Sequence, residues 1–268
     1  MIMRSFCLTV DVDRDVNIPV PGMSQAGSID RGFGTSPRYS SSADGLRILT
    51  DMLDEMGVKA TYFVEGRTLI NIGAQSLTGR EVGIHGFDHE DFTGTFPAHG
   101  KKDVLVKAFE IIEDILGVRP RCSRMPYMKM SPEIPEILKN IGIKYDSSEY
   151  RSLEKQMMPY NINGIIEVPV PVGTDSKGKK IVGYLWPMHE GKRIPSDYVE
   201  MASEIENGIF VLATHSWHMT ECIKGGCISK EAVEFNKENF RQVIYQILDN
   251  GFKMKTVPEA VENFFRFN

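Results

Sequence analysis

SFCLTVDVD runs from Ser5 to Asp13. Residues 5–12 are apolar or β-branched almost throughout, the composition of a strand buried on both faces. Such strands belong in parallel sheets covered by helices. The carboxylates come only at the end of the run. Side chains alternate along a strand, so Asp11 and Asp13 point to the same side.

Strand-like and helix-like segments alternate through the rest of the chain. ADGLRILTDMLDEM (43–56) places apolar residues at 46, 48, 49, 52, 53 and 56, one helical face, with Ser41 or Ser42 as its cap and Gly57 as its stop. VKATYFV (58–64) and EVGIH (81–85) are strands, 102–116 is an amphipathic helix ended by Gly117, and RPRCSRMPY (119–127) is a strand that closes in a turn. A helix over 132–141 and a strand IKYDSS (143–148) follow. IIEVPVPV (165–172) is extended, with prolines that keep it off a central ladder position. Residues 196–207 read as helix, GIFVLATH (208–215) as a buried strand, 229–250 as a long helix, FKMKTV (252–257) as a strand and 258–266 as a closing helix. About seven or eight strands alternating with helices predict an α/β fold. At 268 residues this is an α/β barrel or a doubly wound sheet, read as one domain over 1–268. The one long irregular piece, 14–42, is rich in Gly, Pro and Ser. It is expected to act as a substrate lid or a subunit contact.

Composition narrows the partners. The chain is 41% hydrophobic and 25% charged, with a formal charge of −5. That is ordinary globular composition, and the acidic balance argues against a nucleic-acid partner. The short basic clusters at Lys101–Lys102 and Lys177 to Lys180 read as solvated loop ends. No stretch approaches the roughly 18 apolar residues of a bilayer span. The start, MIMRSFCLTVDVD, is too short in apolar residues for a signal-peptide core. Both observations lead to the expectation of a cytoplasmic protein. Cys7, Cys122, Cys222 and Cys227 form no dense framework and read as reduced thiols. The pair in ECIKGGC lacks the second pair that a zinc ribbon needs.

Placed on this scaffold, the polar residues gather. Asp11 and Asp13 end the first strand, His85 ends EVGIH, Arg124 lies in RMPY, and His215 ends GIFVLATH. In an α/β barrel the strand C-termini open on one face, where active sites form. Taken alone, His85 and His89 read as surface or core histidines, Asp11 and Asp13 as loop caps, and Arg124 as a structural ion pair. Together they make a set of parts. Two imidazoles one helical turn apart converge on one ion. With a carboxylate they form a three-ligand site with an open position, as in catalytic zinc centres. A second carboxylate can take a proton from water that such an ion activates. A histidine opposite can protonate a leaving amine, and an arginine can hold the base ionised. These are the requirements for hydrolysing an amide.

These segments resemble the polysaccharide deacetylase family, the NodB-homology or carbohydrate esterase 4 group. TVDVD (9–13), HGFDH (85–89), RMPY (124–127), YDSS (145–148) and LATH (212–215) match its motifs in family order, and VKATYFVEG (58–66) and TVPEAVENF (256–264) support them. The resemblance implies a distorted (β/α) barrel of about seven units. It implies Asp11 as general base, with Asp13, His85 and His89 as metal ligands. Arg124 orients Asp11, the Tyr127 N–H helps hold the oxyanion, and His215 is the general acid, tuned by Asp146. Asp-Ser-Ser at 146–148 is also good turn chemistry. Zinc is the expected metal, and cobalt, nickel or iron(II) suit the same donors. Tyr127, Trp186 and Trp217 read either as core or as a sugar-stacking wall. His218, His189 and His99 are further placeable histidines.

Two departures bear on the substrate. Val12 separates the aspartates, as in the intracellular branch that includes cyclic-imide and allantoin hydrolases and one divergent peptidoglycan deacetylase. That branch tends to assemble, which implies a homo-oligomer. Met128 stands where the family usually has glycine. EVGIHGFDHEDF also resembles formamido-arabinose lipid deformylases. The leading expectation is removal of an N-acetyl group from an amino sugar or its conjugate. The alternatives are a cytosolic deformylase or cyclic imide/allantoin-type amidohydrolase, and a non-catalytic carbohydrate-binding protein.

Overall fold

In a computed structural model, which describes residues 4–29, 36–96 and 100–267, seven strands run parallel in one curled sheet. They are β1 (Arg4–Val12), β2 (Thr61–Val64), β3 (Glu81–Ile84), β4 (Cys122–Ser123), β5 (Tyr145–Asp146), β6 (Ile165–Glu167) and β7 (Gly208–His215). Their order in space is β7-β1-β2-β3-β4-β5-β6. Tyr160–Ile162 adds an antiparallel edge to β6, and Lys253–Met254 pairs with the start of β1. Between β6 and β7 the ring is bridged rather than closed. A small sheet of Tyr150–Ser152, Val170–Thr174 and Lys180–Val182 leans there on β7 through a Tyr184–Ala213 bridge. This is the expected distorted (β/α) barrel.

The unbroken apolar run of β1 has a simple cause. Phe6, Leu8, Val10 and Val12 point outward into the core under the helices. Cys7 points inward, with Phe63, Val211 and Ala213, so both faces are buried. The helices are α1 (Ser40–Glu55), α2 (Gly66–Ile72), α3 (Gly100–Leu116), α4 (Ile134–Asn140), α5 (Trp186–His189), α6 (Pro195–Ser203), α7 (Lys230–Asp249) and α8 (Val257–Phe267). On α1, Leu46, Leu49, Met52 and Leu53 are buried, each worth about 1.5–3 kcal/mol relative to exposure. α8 forms the barrel floor: Val257, Ala260 and Val261 pack into the interior, and the Val257 N–H donates to Thr61 Oγ1 at 2.9 Å. The opposite end, at the strand C-termini, is left for polar residues.

Several expectations need correction. α1 starts at Ser40, and neither Ser41 nor Ser42 caps it with its side chain. Instead the Asp15 carboxylate accepts from the Ser41 N–H at 3.1 Å and the Ser42 N–H at 2.7 Å. The expected strand 119–127 shrinks to Cys122–Ser123, followed by a 3₁₀ turn over Pro126–Met128. The 14–42 piece is not wholly irregular, since Asn17–Pro19 and Ala26–Ser28 form a hairpin. Residues 30–35 of it, and His99, lie outside the described residues. All four cysteines are free thiols.

Candidate functional site

Strand register brings the chosen residues together. Asp11 lies level with His215 on β7 and with Phe63 on β2. Val64 lies level with Ile84, so His85 emerges just beyond the end of β3. Ile84 lies level with Ser123, and Arg124 follows. Asp11, His85, His89, Tyr127 and His215 line one cavity of about 140 Å³, joined by Asn17, Met128, Tyr150, Tyr184 and Trp186.

Asp13, His85 and His89 are buried, with donor atoms all within 4.8 Å of one another. His85 Nδ1 makes a 2.8 Å hydrogen bond with the Arg124 carbonyl. With Nδ1 as donor, the free lone pair is on Nε2. His89 Nε2 lies 3.3 Å from Asp13 Oδ2. A tetrahedral ion with bonds of about 2.0–2.1 Å has donor–donor edges of about 3.3–3.4 Å. Burial lowers each imidazole to about 4, so both are neutral at pH 7 and their contact with Asp13 is not an ion pair. Burial also drives the Asp13 carboxyl well up, and its Oδ1 has no partner among the described residues. Asn17 Nδ2 donates to Oδ2 at 2.5 Å. Two neutral imidazoles and a buried carboxylate without a cation are a donor set that a divalent ion completes, so the residues present fit a metal.

The convergence of His85 and His89 does not come from a helical turn, as the spacing suggests. Residues 85–91 are loop, with Gly86 at φ 69° and His89 itself left-handed at φ 52°. The buried Glu90 carboxylate shapes this loop by accepting from the Phe87 N–H at 3.0 Å and the Asp88 N–H at 2.9 Å. A Cβ on residue 86 would stand 2.7 Å from Glu90 Oε2, which is why glycine is there. Arg14, buried beside Asp13, bridges Glu65 and Asp88 and ties the end of β1 to the same loop.

Asp11 is held from both sides. Arg124 Nη1 donates to Oδ1 at 2.9 Å and the Tyr184 hydroxyl to Oδ2 at 2.7 Å. Arg124 is fully buried and fixed by Thr9 Oγ1 at 2.7 Å, the Ser147 carbonyl at 2.9 Å and Ser147 Oγ at 2.9 Å. Burial raises the Asp11 carboxyl, but Arg124, with His85, His215 and the Tyr184 hydroxyl, outweighs it and leaves Asp11 below its ordinary value. It is therefore ionised at neutral pH.

His215 is half-buried between the rings of Tyr184 and Trp217, each 5.5 Å away, and its Nδ1 has no partner among the described residues. Tyr127 sits at φ 60°, ψ 10°, and Met128 follows at φ 54°. Two consecutive left-handed non-glycine residues are strained, a state that clusters at functional sites. The Tyr127 N–H makes no backbone hydrogen bond among the described residues. Its ring meets His89 edge-on at 4.6 Å.

Asp146 does not join the cavity, and the expectation that it tunes His215 is corrected. Its neighbour Tyr145 points into the barrel, so Asp146 points outward. There it accepts from Ser123 Oγ at 2.5 Å and the Ser148 N–H at 3.1 Å, level with Glu167. Burial raises Asp146, and burial together with the Asp146 charge drives Glu167 well up. The two behave as a buried acid pair. Of the aromatic wall, Tyr127 and Trp186 line the cavity, whereas Trp217 is buried behind His215 against His218. His218 faces Glu190 at 3.4 Å, and His189 faces Thr214 at 3.3 Å, both away from the cavity.

Asn17, Tyr150 and Tyr184 escaped the sequence reading. Asn17 lies in the Gly- and Pro-rich stretch, Tyr150 belongs to the small bridging sheet and Tyr184 follows it, and the position of that sheet depends on the open barrel. For Ser147 a signal existed: alternation in YDSS sends either Asp146 or Ser147 inward, never both.

Comparison with known proteins sets this geometry in context. The polysaccharide deacetylase family matches residues 39–145, which include His85, His89, Arg124 and Tyr127. A peptidoglycan deacetylase of Helicobacter pylori is 32% identical over 108 residues, covering 39% of this chain and 36% of that protein. The chain spans about a third of the length of the curated relatives it matches. Among solved structures, Puue allantoinase aligns with a TM-score of 0.63 at 13% identity, over 96% of this chain and 89% of that one. A Mycobacterium smegmatis protein assigned as a polysaccharide deacetylase aligns with a TM-score of 0.57 at 21% identity, over 96% and 94%. At these identities the structural likeness is one of fold.

Proposed function

Because the chain belongs to the polysaccharide deacetylase family, we propose that it is a metal-dependent hydrolase that removes an N-acetyl group from an amino sugar or its conjugate. One observation carries this reading. A donor set fit for a cation, an ionised carboxylate and a histidine level with it on the next strand meet in one strand-end cavity.

Asp13, His85 and His89 would hold the metal, zinc first among those that suit such donors. When bound, it activates water and polarises the amide carbonyl. The chain's own groups supply the rest. Asp11, kept ionised by Arg124, accepts a proton from the attacking water; its two hydrogen bonds leave lone pairs free. His215 donates a proton to the departing amine. The Tyr127 N–H, which makes no backbone hydrogen bond among the described residues, would donate to the carbonyl oxygen as charge builds on it. Tyr150 and Trp186 offer the sugar an aromatic wall. A binding-only protein would be expected to lack a ligand or the base, and all of them are present in this chain.

The test starts with metal content, measured by mass spectrometry on untagged protein beside Asp13→Ala and His89→Ala. About one equivalent in the parent, lost in both variants, is expected. Acetate release from a panel of N-acetyl sugars then defines the reaction, with hydantoin, succinimide and formamido-sugars run in parallel. Turnover confined to the parallel set would replace the deacetylase reading with the deformylase or cyclic-imide one. No metal after zinc reconstitution would overturn the hydrolase reading.

A further inference from the structure

We propose that the substrate carries an anionic group, phosphate or carboxylate, on its side away from the amide, and that a lysine-lined pocket beside the catalytic cavity binds it. This rests on the amide-hydrolase reading above.

The argument begins with space. Small-ligand sites measure about 300–1,000 Å³. The catalytic cavity, at about 140 Å³, holds an acyl group and water but not a sugar conjugate. A second pocket of about 770 Å³ opens beside it, and Tyr150 and Trp186 belong to the walls of both. Whatever extends from the amide therefore passes these two rings and enters the larger pocket.

Charge then identifies what the larger pocket favours. Lys177, Lys179, Lys180 and Lys192 line it, on a chain whose net charge is −5. Its carboxylates, Asp175 and Asp197, are already engaged: Arg193 binds Asp175 and lies 3.8 Å from Asp197. Among the described residues no carboxylate stands within salt-bridge distance of the four ammonium groups. Nor do the lysines sit on a slack loop. Asp175 Oδ1 accepts from the Lys177 N–H at 2.9 Å and the Lys179 N–H at 2.8 Å, and Gly178 turns the chain at φ 73°. Arg193 Nη2 donates to the Lys180 carbonyl at 2.9 Å and fastens the turn to the segment before α6. Lys192 Nζ lies 5.0 Å from the Trp186 ring, at the boundary of the two pockets. Four exposed lysines around one pocket set up a local positive field that attracts an anion. A neutral glycan would gain nothing from it.

The test uses full-length, zinc-loaded protein and matched substrates: N-acetylglucosamine, its 1-phosphate, and N-acetylmuramic acid. kcat/KM is measured at about 20 and 300 mM salt, below and above physiological screening. One or both anionic substrates are expected to be preferred at low salt, with the preference falling as salt rises. The two anionic arms separate phosphate from carboxylate. In a Lys179→Glu/Lys180→Glu variant the charged-to-neutral ratio should fall about tenfold. Equal kcat/KM for charged and neutral sugars would overturn the proposal while leaving the deacetylase reading intact. If no sugar is turned over, calorimetric binding of the same three compounds decides. Salt-sensitive binding of an anionic sugar, weakened in the variant, supports the pocket; equal binding of all three rejects it.

Discussion

Replacing Arg124 by methionine tests the base directly. The side chain is fully buried, lies over the Phe63 ring with its guanidinium carbon 4.5 Å from the centroid, and is the chief group that keeps Asp11 ionised against burial. Methionine keeps much of the bulk and removes the charge. Breaking a buried ion pair from one side costs about 3–5 kcal/mol, a large share of the 5–15 kcal/mol typical of a domain. The sign of the pH effect follows from the direction of the shift. In the parent, Asp11 is depressed, so its contribution is present above the unfolded value of about 3.9 and is lost as pH falls through the folded value. In the variant, burial acts without the guanidinium and the folded value rises. Stability is then greatest in acid and falls by up to about 1.4 kcal/mol per pH unit between the two values. The cost of the substitution therefore grows from acid to neutral pH. Urea unfolding followed by circular dichroism, in chelator at about pH 4.5 and 7.5, measures it. A cost under about 1 kcal/mol at neutral pH, or the same cost at both, would refute the charged Asp11–Arg124 pair and the assignment of Asp11 as base.

Other expectations follow from single contacts. Tyr184→Phe keeps the ring and removes one donor to Asp11, a bond to a charged group worth about 1.5–3 kcal/mol. kcat/KM should fall about 10–100-fold, and its acidic limb should move to higher pH because that bond lowers the Asp11 value; an unchanged profile excludes the hydroxyl from catalysis. Met128→Gly relieves a left-handed residue, whereas Met128→Val places a branched one there. By calorimetry the glycine variant should melt several degrees above the valine variant, and equal melting would mean that the turn is unstrained. In the Asp146–Glu167 pair both folded values are raised, so the stability from its proton is full below the unfolded values and lost as pH rises through the folded ones. Glu167→Gln should flatten that loss as pH rises above the ordinary carboxylate values of about 4, followed in urea melts; parallel slopes would show that no proton is shared.

The sequence reading reached most of the architecture because both faces of the main strands are buried, which leaves long apolar runs such as 208–215 that match the observed strand residue for residue. The strand-end residues Asp11, Asp13, His85 and His215 were legible for the same reason, since each interrupts or follows such a run; Arg124, after Arg-Pro-Arg-Cys-Ser, was legible only through the RMPY motif. Parity was not legible where strands are short. β5 has two residues, and only its neighbours decide that Tyr145 and Ser147 face inward while Asp146 faces the helices. Spacing misled at His85 and His89, because a left-handed loop can bring i and i+4 together as well as a helix does. A long-range partner such as Tyr184 for Asp11, across 173 positions, leaves no local pattern.

The pairing of β1 with β7 has a consequence for how the protein is made. Arg4 to Asp11 find their partners in Gly208 to His215, and Ser5 and Phe6 also wait for Lys253 and Met254. At about 5–20 residues per second, ribosomes need roughly 10–40 s to travel from the first strand to its partner. Through that interval the edge of β1 that pairs with β7 has no partner strand. The two aspartates are thus among the first residues of the candidate site to be synthesised, and the histidine opposite them is the last. A chain released before residue 208 would contain Asp11, Asp13, His85 and His89, but not His215, the proton donor proposed above.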